Sequence, residues 1–238
     1  MSKGTESQFE LTTIERLERL RYGFLPGPDL ARPPDEVVLR DLLRANLRRR
    51  YADLTDAALD EAIGLIARPA GVDTLHRNQS FHKLLREGFH LRVRLADGRD
   101  EDRHLYAIDW SDAQANDFHV VNQLPIAGRN DRRPDILVYI NGLPLVLFEL
   151  KNPYSDIPNY RDALNQIQHY IVDVPQLFDY NALCVVSDGI DTLHGVWTAS
   201  EEWYAPWKSI DGEHVEAGTT GSMKALIEGL FLLICTQN

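Results

Sequence analysis

Asp135, Glu149 and Lys151 are the residues of this chain whose types and spacing could do chemistry. They bracket the segment RPDILVYINGLPLVLFELKNP, in which two short apolar runs are separated by Asn141-Gly142. Asn-Gly between apolar runs is a strong short-range hairpin signal. A hairpin here would bring Asp135, at the start of one strand, beside Glu149 and Lys151, at the end of the other. Two carboxylates beside an ammonium group make a Mg²⁺ site next to a cation, which is what hydrolysis of a phosphodiester requires.

The register decides whether the groups meet. Side chains alternate between faces with a period of two, so Glu149 and Lys151 share a face. A two-residue loop at Asn141-Gly142 pairs Ile140 with Leu143 and sends Asp135 and Glu149 to opposite faces. A three-residue loop, with Gly142 supplying a positive φ, pairs Ile140 with Pro144 and puts Asp135 opposite Glu149. A metal site therefore predicts an odd loop, or a bulge that restores the phase. The alternative is a rim of charge on an apolar hairpin. Against it, Ile136–Ile140 and Leu145–Phe148 read as buried central strands, and ionisable groups at the ends of buried strands are costly unless paired or metal-bound. Pro134 and Pro153 also end the run close to the carboxylate positions.

The elements that must position these groups follow from periodicity. The first third reads as α-helical, with helices over 12–22, 34–51, 55–66 (capped by Asp53 or Thr55) and 78–87 (ending at Gly88) and a Pro/Gly-rich turn over 24–34. The period then changes to two, predicting strands over 89–95, 104–110 and 117–126 ahead of the hairpin, with a turn at Ala96-Asp97-Gly98. Helical spacing returns over 159–172, a strand pair follows over 182–187 and 192–198 around Asp188-Gly189, and a C-terminal helix spans 222–234. The fold class is thus α/β, a mixed sheet of five or six strands flanked by helices. The expected divisions are a mostly helical region 1–77, a core 78–208 and a C-terminal helix in 209–238.

The 238 residues have the composition of an ordinary globular protein. No apolar run approaches the ~20 residues of a membrane span, and the N-terminus lacks a signal-peptide core. Cys184 and Cys235 form no framework, which points to a reducing cytoplasm. The net charge of −11 argues against indiscriminate nucleic-acid binding but leaves room for local positive charge. Two arginine clusters exist: Arg40, Arg44, Arg48, Arg49 and Arg50, which read as a solvated helix face, and Arg129, Arg132 and Arg133, just before Asp135 where phosphates would arrive. No H-E-x-x-H, G-x-S-x-G or Cys/His metal spacing is present, and Ser187-Asp188-Gly189 reads as a turn.

Gln166 and Tyr170 are four apart and so share a face of the helix that follows the hairpin, from which they could reach its carboxylate–lysine end. The competing reading is a polar helix face with Tyr170 half-buried. With this pair on the page, the chain resembles the N-terminal nuclease domain of the restriction (R) subunit of type I restriction–modification enzymes, within the PD-(D/E)xK nuclease superfamily. The resemblance spans about 78–208 and rests on Arg133-Pro134-Asp135, Phe148-Glu149-Leu150-Lys151-Asn152-Pro153 and Gln166…Tyr170 in that order. It is joined by Asn78…Phe81-His82…Glu87-Gly88, Ile108-Asp109-Trp110, Asn116-Asp117-Phe118, Val121-Asn122-Gln123, Ser187-Asp188-Gly189 and Trp207-Lys208.

The resemblance implies a restriction-endonuclease-like fold and Mg²⁺-dependent cleavage of double-stranded DNA. It implies that Asp135, Glu149 and the Leu150 backbone carbonyl ligate the metal. Lys151 would orient the attacking water and steady the transition state, while Gln166, Tyr170 and Arg133 position DNA or the lysine. Glu87 or His82 would be an upstream metal ligand. The implied partners are specificity and methyltransferase subunits, and motor domains of the same subunit that use ATP. No G-x-x-x-x-G-K-[ST] occurs here; Gly218 to Lys224 lacks the required Lys-Ser/Thr pair. The apolar ending Leu230–Cys235 favours a piece of a longer subunit. The competing functions are a stand-alone repair or recombination nuclease, and a non-cutting scaffold domain.

Overall fold

The computed structural model describes residues 2–94, 98–152, 159–215 and 222–232, with side chains from residue 6 onward. In chain order the elements are α1 (Ser2–Arg19), β1 (Gly23–Pro26), α2 (Arg40–Arg50), α3 (Asp56–Ile66), α4 (Thr74–Glu87), β2 (Phe89–Arg94), β3 (Asp100–Leu105), β4 (Phe118–Asn122), β5 (Ile136–Ile140), β6 (Leu143–Leu150), α5 (Tyr160–Asp173), β7 (Leu183–Ser187), β8 (Thr192–Gly195) and α6 (Met223–Ala225). The last runs directly into a π-helical turn, Leu226–Phe231. The helix starts follow local chemistry: Thr55 accepts from the Ala58 N–H to cap α3, Asp73 caps α4 through His76, and Asn159 caps α5 through Arg161. Gly88, at φ 70°, ends α4.

A six-stranded mixed sheet runs in the order β1-β4-β5-β6-β7-β8, and β2 and β3 form a separate antiparallel pair. Three expectations are corrected here. The Pro/Gly-rich stretch expected to be only a turn contains β1, which lies parallel to β4 at the sheet edge. The strand expected over 104–110 is instead Asp100–Leu105, and it stays outside the main sheet. The first helix begins ten residues before Thr12 and ends at Arg19 rather than at Tyr22. The turn expected at Ala96-Asp97 and the residues after Leu232 lie outside the described residues.

The hairpin β5–β6 turns on Asn141 and Gly142, at φ 53° and 81°, so both central residues are left-handed, as a two-residue turn matched to strand twist requires. The turn is buried. The Asn141 side chain accepts from the Asp117 N–H at 2.7 Å and donates to the Ala107 carbonyl and to Asn116 Oδ1, both at 2.8 Å. A Cβ at Gly142 would come within 2.4 Å of the Leu39 carbonyl oxygen, so the turn requires glycine for space as well as for φ. Beyond the turn, Ile140 pairs with Leu143 and Tyr139 with Pro144, but Val138 pairs with Val146. Leu145 is the extra residue of a bulge. The pairing then continues through Leu137–Leu147 to Ile136–Phe148.

Every residue of β5 and β6 is buried. β4 and β7 flank the hairpin in the sheet, and α5 covers β6 and β7. The apolar core is continuous from Ile14 and Leu17 of α1 through the sheet to Leu226, Ile227 and Phe231. In register, Pro26, Asn122, Ile136, Phe148 and Val185 line up toward one end of the sheet, with Ser187 opposite Leu150 just beyond. That end carries the polar residues of the motif.

Candidate functional site

The bulge at Leu145 brings the carboxylates together. With Ile136 opposite Phe148, the next step outward sets Asp135 opposite Glu149. The turn is the two-residue form, which alone would have separated them, and the extra residue restores the phase. Asp135 is 8% exposed and Glu149 2%. Asp135 Oδ2 accepts from the Leu150 N–H at 2.7 Å, and Oδ1 accepts from Gln123 Nε2 at 3.1 Å. Glu149 Oε1 accepts from Lys151 Nζ at 2.7 Å, and Oε2 accepts from the Tyr170 hydroxyl at 2.9 Å. Gln166 Nε2 donates to that hydroxyl at 3.3 Å. The Gln166–Tyr170 pair thus reaches the centre through Glu149. Asp188 fixes the start of α5 over this end, accepting from the Tyr160 N–H at 3.1 Å with one oxygen and from Ile190 and Asp191 with the other.

Burial, and then the charge of Glu149, push the Asp135 carboxyl up to about 8. Burial also raises Glu149, against the pull of Lys151 and Tyr170. Burial works against the Lys151 ammonium, but Glu149 and then Asp135 outweigh it and hold its pKa above the usual lysine value. Tyr170 is raised by burial and by Glu149, so its hydroxyl stays a donor. One ammonium therefore faces two desolvated carboxylates. Once both carboxylates are ionised, such a set has surplus negative charge and only oxygen acceptors to offer, which suits a hard divalent cation able to displace the proton from Asp135. Among the described residues no group of three or more His, Cys, Asp or Glu side chains is placed to share an ion. The fit is therefore to a Mg²⁺-like ion held by two carboxylates, with backbone, water and phosphate oxygens completing the shell.

Glu87 and His82 do not join this centre, which corrects the expected upstream ligand. His82 Nε2 contacts the Asn181 carbonyl at 3.1 Å, before the start of β7 and at the other end of the sheet. Glu87 is solvent-facing beside Arg86, at 2.8 Å, and Lys83. Asp109 accepts from Ser111 and Asp112 in a loop and faces Arg50. An acidic residue that does come to the centre is Glu10, on α1 and 8% exposed. Its oxygens accept from Asn122 Nδ2 at 2.7 Å and Gln123 Nε2 at 2.8 Å. Starting the first helix at Thr12 left Glu10 out. The available signal was Glu6 and Glu10, four apart and hence on one helical face.

The two arginine clusters differ in availability. All five arginines of the first are paired within the fold: Arg40 with Glu36, Arg44 with Asp60, Arg48 with Asp56, Arg49 with Asp117 and Arg50 with Asp109. In the second, Arg132 is held by Asp173, with Nε 2.8 Å from Oδ2, whereas Arg129 and Arg133 are exposed.

Residues 4–203 match the model of the type I restriction enzyme R protein N terminus. The chain is 32% identical over 239 residues to the type I restriction enzyme HindI endonuclease subunit of Haemophilus influenzae, covering 94% of this chain and 22% of that protein. It is 30% identical over 198 residues to the type I restriction enzyme SsaAORF53P endonuclease subunit of Staphylococcus saprophyticus, covering 79% and 19%. The chain thus spans about a fifth of the length of these relatives. With the match extending from α1 to beyond β8 and including every residue of the buried centre, this chain belongs to the family of type I restriction enzyme R protein N-terminal domains.

Proposed function

We propose that this chain is the Mg²⁺-dependent endonuclease module of a type I restriction enzyme R subunit, cleaving phosphodiester bonds of double-stranded DNA in the cytoplasm. The observation that carries the proposal is the bulge at Leu145, which sets Asp135 and Glu149 on one face beside Lys151. A charged rim would have no need of that phase correction. The names of the relatives support the same reading.

Asp135, Glu149 and the Leu150 carbonyl would hold the metal. When bound, Mg²⁺ supplies Lewis-acid polarisation of the phosphate and neutralises developing charge. Lys151 Nζ, anchored to Glu149, directs a proton donor toward the attacked phosphate. It orients the incoming water and stabilises the negative charge that builds on the phosphoryl oxygens. Tyr170 donates to Glu149 and, with Gln166, fixes that carboxylate's rotamer. Arg133 and Arg129 meet the DNA backbone. In this reading, motor domains elsewhere in the R subunit deliver DNA by ATP-driven translocation, and specificity and methyltransferase subunits choose the target.

The test is a supercoiled plasmid with Mg²⁺ at moderate salt, with the chain alone and then within a complete restriction complex with ATP. We expect weak, steeply salt-dependent binding and poor cutting by the chain alone, because its charge of −11 opposes the polyanion. Cutting is expected in the complex. Rapid, complete linearisation by the chain alone would point instead to a stand-alone nuclease.

A further inference from the structure

We infer that Gln123 is a positioning residue of the metal centre, its single amide nitrogen bridging Glu10 and Asp135 and fixing the Asp135 carboxylate in the orientation that receives the cation. This rests on the reading of Asp135 and Glu149 as metal ligands.

Three observations carry it. Gln123 Nε2 lies 2.8 Å from Glu10 Oε2 and 3.1 Å from Asp135 Oδ1. An amide NH₂ has two hydrogens, and ionised carboxylates only accept, so one nitrogen satisfies both groups where they could not satisfy each other. The Gln123 backbone N–H also donates to the Asp135 carbonyl at 3.0 Å, so the same residue grips Asp135 by main chain and side chain. Finally, Gln123 has φ 48°, a left-handed conformation that a non-glycine residue adopts only when its surroundings hold it there. That turn immediately follows β4 and aims the side chain back across the end of the sheet.

The consequence for Asp135 is specific. Its Oδ2 is taken by the Leu150 N–H and its Oδ1 by Gln123, so the plane of the carboxylate is set from both sides. One acceptor direction then remains on each oxygen for the ion. Glu10, held also by Asn122, anchors the far side of the amide to α1. Without the amide, Glu10 and Asp135 would face each other across a desolvated gap, and Asp135 would be free to rotate.

Two variants of the full chain test this. Gln123→Asn tolerates the left-handed backbone but is one methylene too short to span both carboxylates. Gln123→Met keeps length and bulk and removes the donor. Mn²⁺ binding is followed by the loss of the free-ion EPR signal, with thermal unfolding recorded without metal. We expect Mn²⁺ affinity to fall about 10- to 100-fold in both variants. A role in folding alone would lower the unfolding temperature and leave Mn²⁺ affinity at the wild-type value, and that result overturns the inference. Asp135→Asn separates the two levels. If it binds Mn²⁺ as the wild type does, or if the wild type binds none, the reading of the site itself fails. If Asp135→Asn has lost Mn²⁺ while both Gln123 variants keep it, the site stands and the role of Gln123 falls.

Discussion

The hairpin β5–β6 and the antiparallel pair β2–β3 both carry charged residues on short strands, yet they use charge in opposite ways. In β2–β3, Leu91, Val93 and Leu105 are buried while His90, Arg92, Arg94, Asp100, Asp102 and His104 are exposed. The exposed groups answer one another across the pair: His90 stacks on His104 with centroids 4.4 Å apart, and Arg94 meets Asp100 at 3.7 Å. Water solvates what they leave over. In β5–β6 every position is buried, so the charges at its end have no such relief. They bind one another, the Leu150 N–H, the Gln123 amide and the Tyr170 hydroxyl, and burial makes their full ionisation unfavourable until a cation joins them. Ionisable groups on a strand become chemically poised when the sheet on both sides removes their solvent. The pattern of charge in the sequence does not suffice.

The largest test of this contrast exchanges charge for neutral isosteres on each side. Asp135→Asn, Glu149→Gln and Lys151→Met should each lower DNA cleavage by the assembled complex by about 10²–10³-fold or more. The losses should not add in combination, because the three act as one unit. Arg92→Gln and Asp102→Asn on the exposed pair should leave cleavage unchanged. A Lys151→Met variant that cuts normally would remove the lysine from the mechanism.

Deleting Leu145 removes the bulge without changing the phase, because the ladder from Ile140–Leu143 then runs unbroken to Asp135 opposite Glu149. Mn²⁺ binding should therefore survive the deletion, while the unfolding temperature should drop because a buried leucine is lost. A folded deletion variant that binds no Mn²⁺ would show that a shared face alone does not make the carboxylates a metal site. For packing alone, Leu147→Ala in β6 should cost about 2–5 kcal/mol. Arg92→Ala on the exposed strand should stay within about 0.5 kcal/mol. Chemical denaturation measures both.

The pH dependence should separate the two regions as well. Asp135 has a folded-state pKa of about 8 against an ordinary 3.8, with burial as the leading cause. Between those values the folded state binds a proton that the unfolded state does not. Without metal, this group's contribution to stability therefore falls as pH rises from about 4 to about 8. A cation at the carboxylates opposes that loss, so stabilisation by Mg²⁺ should be greater at pH 8 than at pH 6. Equal stabilisation at both values would place the bound ion elsewhere.

Legibility in the sequence followed the same divide. The hairpin could be read because Asn141-Gly142 and two apolar runs are local signals. Its phase could not, because a two-residue and a three-residue loop share the same Asn-Gly, and the bulge is set by how β5 and β6 fit between β4 and β7. Strand β1 was hidden because Gly23–Pro26 is only four residues long and lies beside Gly27-Pro28. A proline ending an edge strand leaves no ladder signal to read. Glu10 and Gln123 carry no local signal of a shared role because they lie 113 positions apart in the chain. The arginines show a similar limit. Composition located both clusters, but only the tertiary structure shows that Arg132 is taken by Asp173 while Arg129 and Arg133 face solvent.

The smallest expected effect lies on the exposed pair, and its smallness sharpens the comparison. Arg94 and Asp100 sit directly opposite each other in the β2–β3 register, with side chains 71% and 43% exposed. At that exposure the attraction is screened by water, and two long side chains must be ordered to realise it. A double-mutant cycle with Arg94→Ala and Asp100→Ala should therefore give a coupling of about 0.5 kcal/mol or less, vanishing at high salt. The same cycle on Lys151 and Glu149, with Glu149 buried and the Lys151 side chain only 25% exposed, should give a coupling several times larger and less sensitive to salt, since removing the lysine strands a desolvated carboxylate. Similar couplings in the two cycles would mean that β5–β6 is solvated at its charged end. The physical basis for treating that end as a poised metal centre would then be gone.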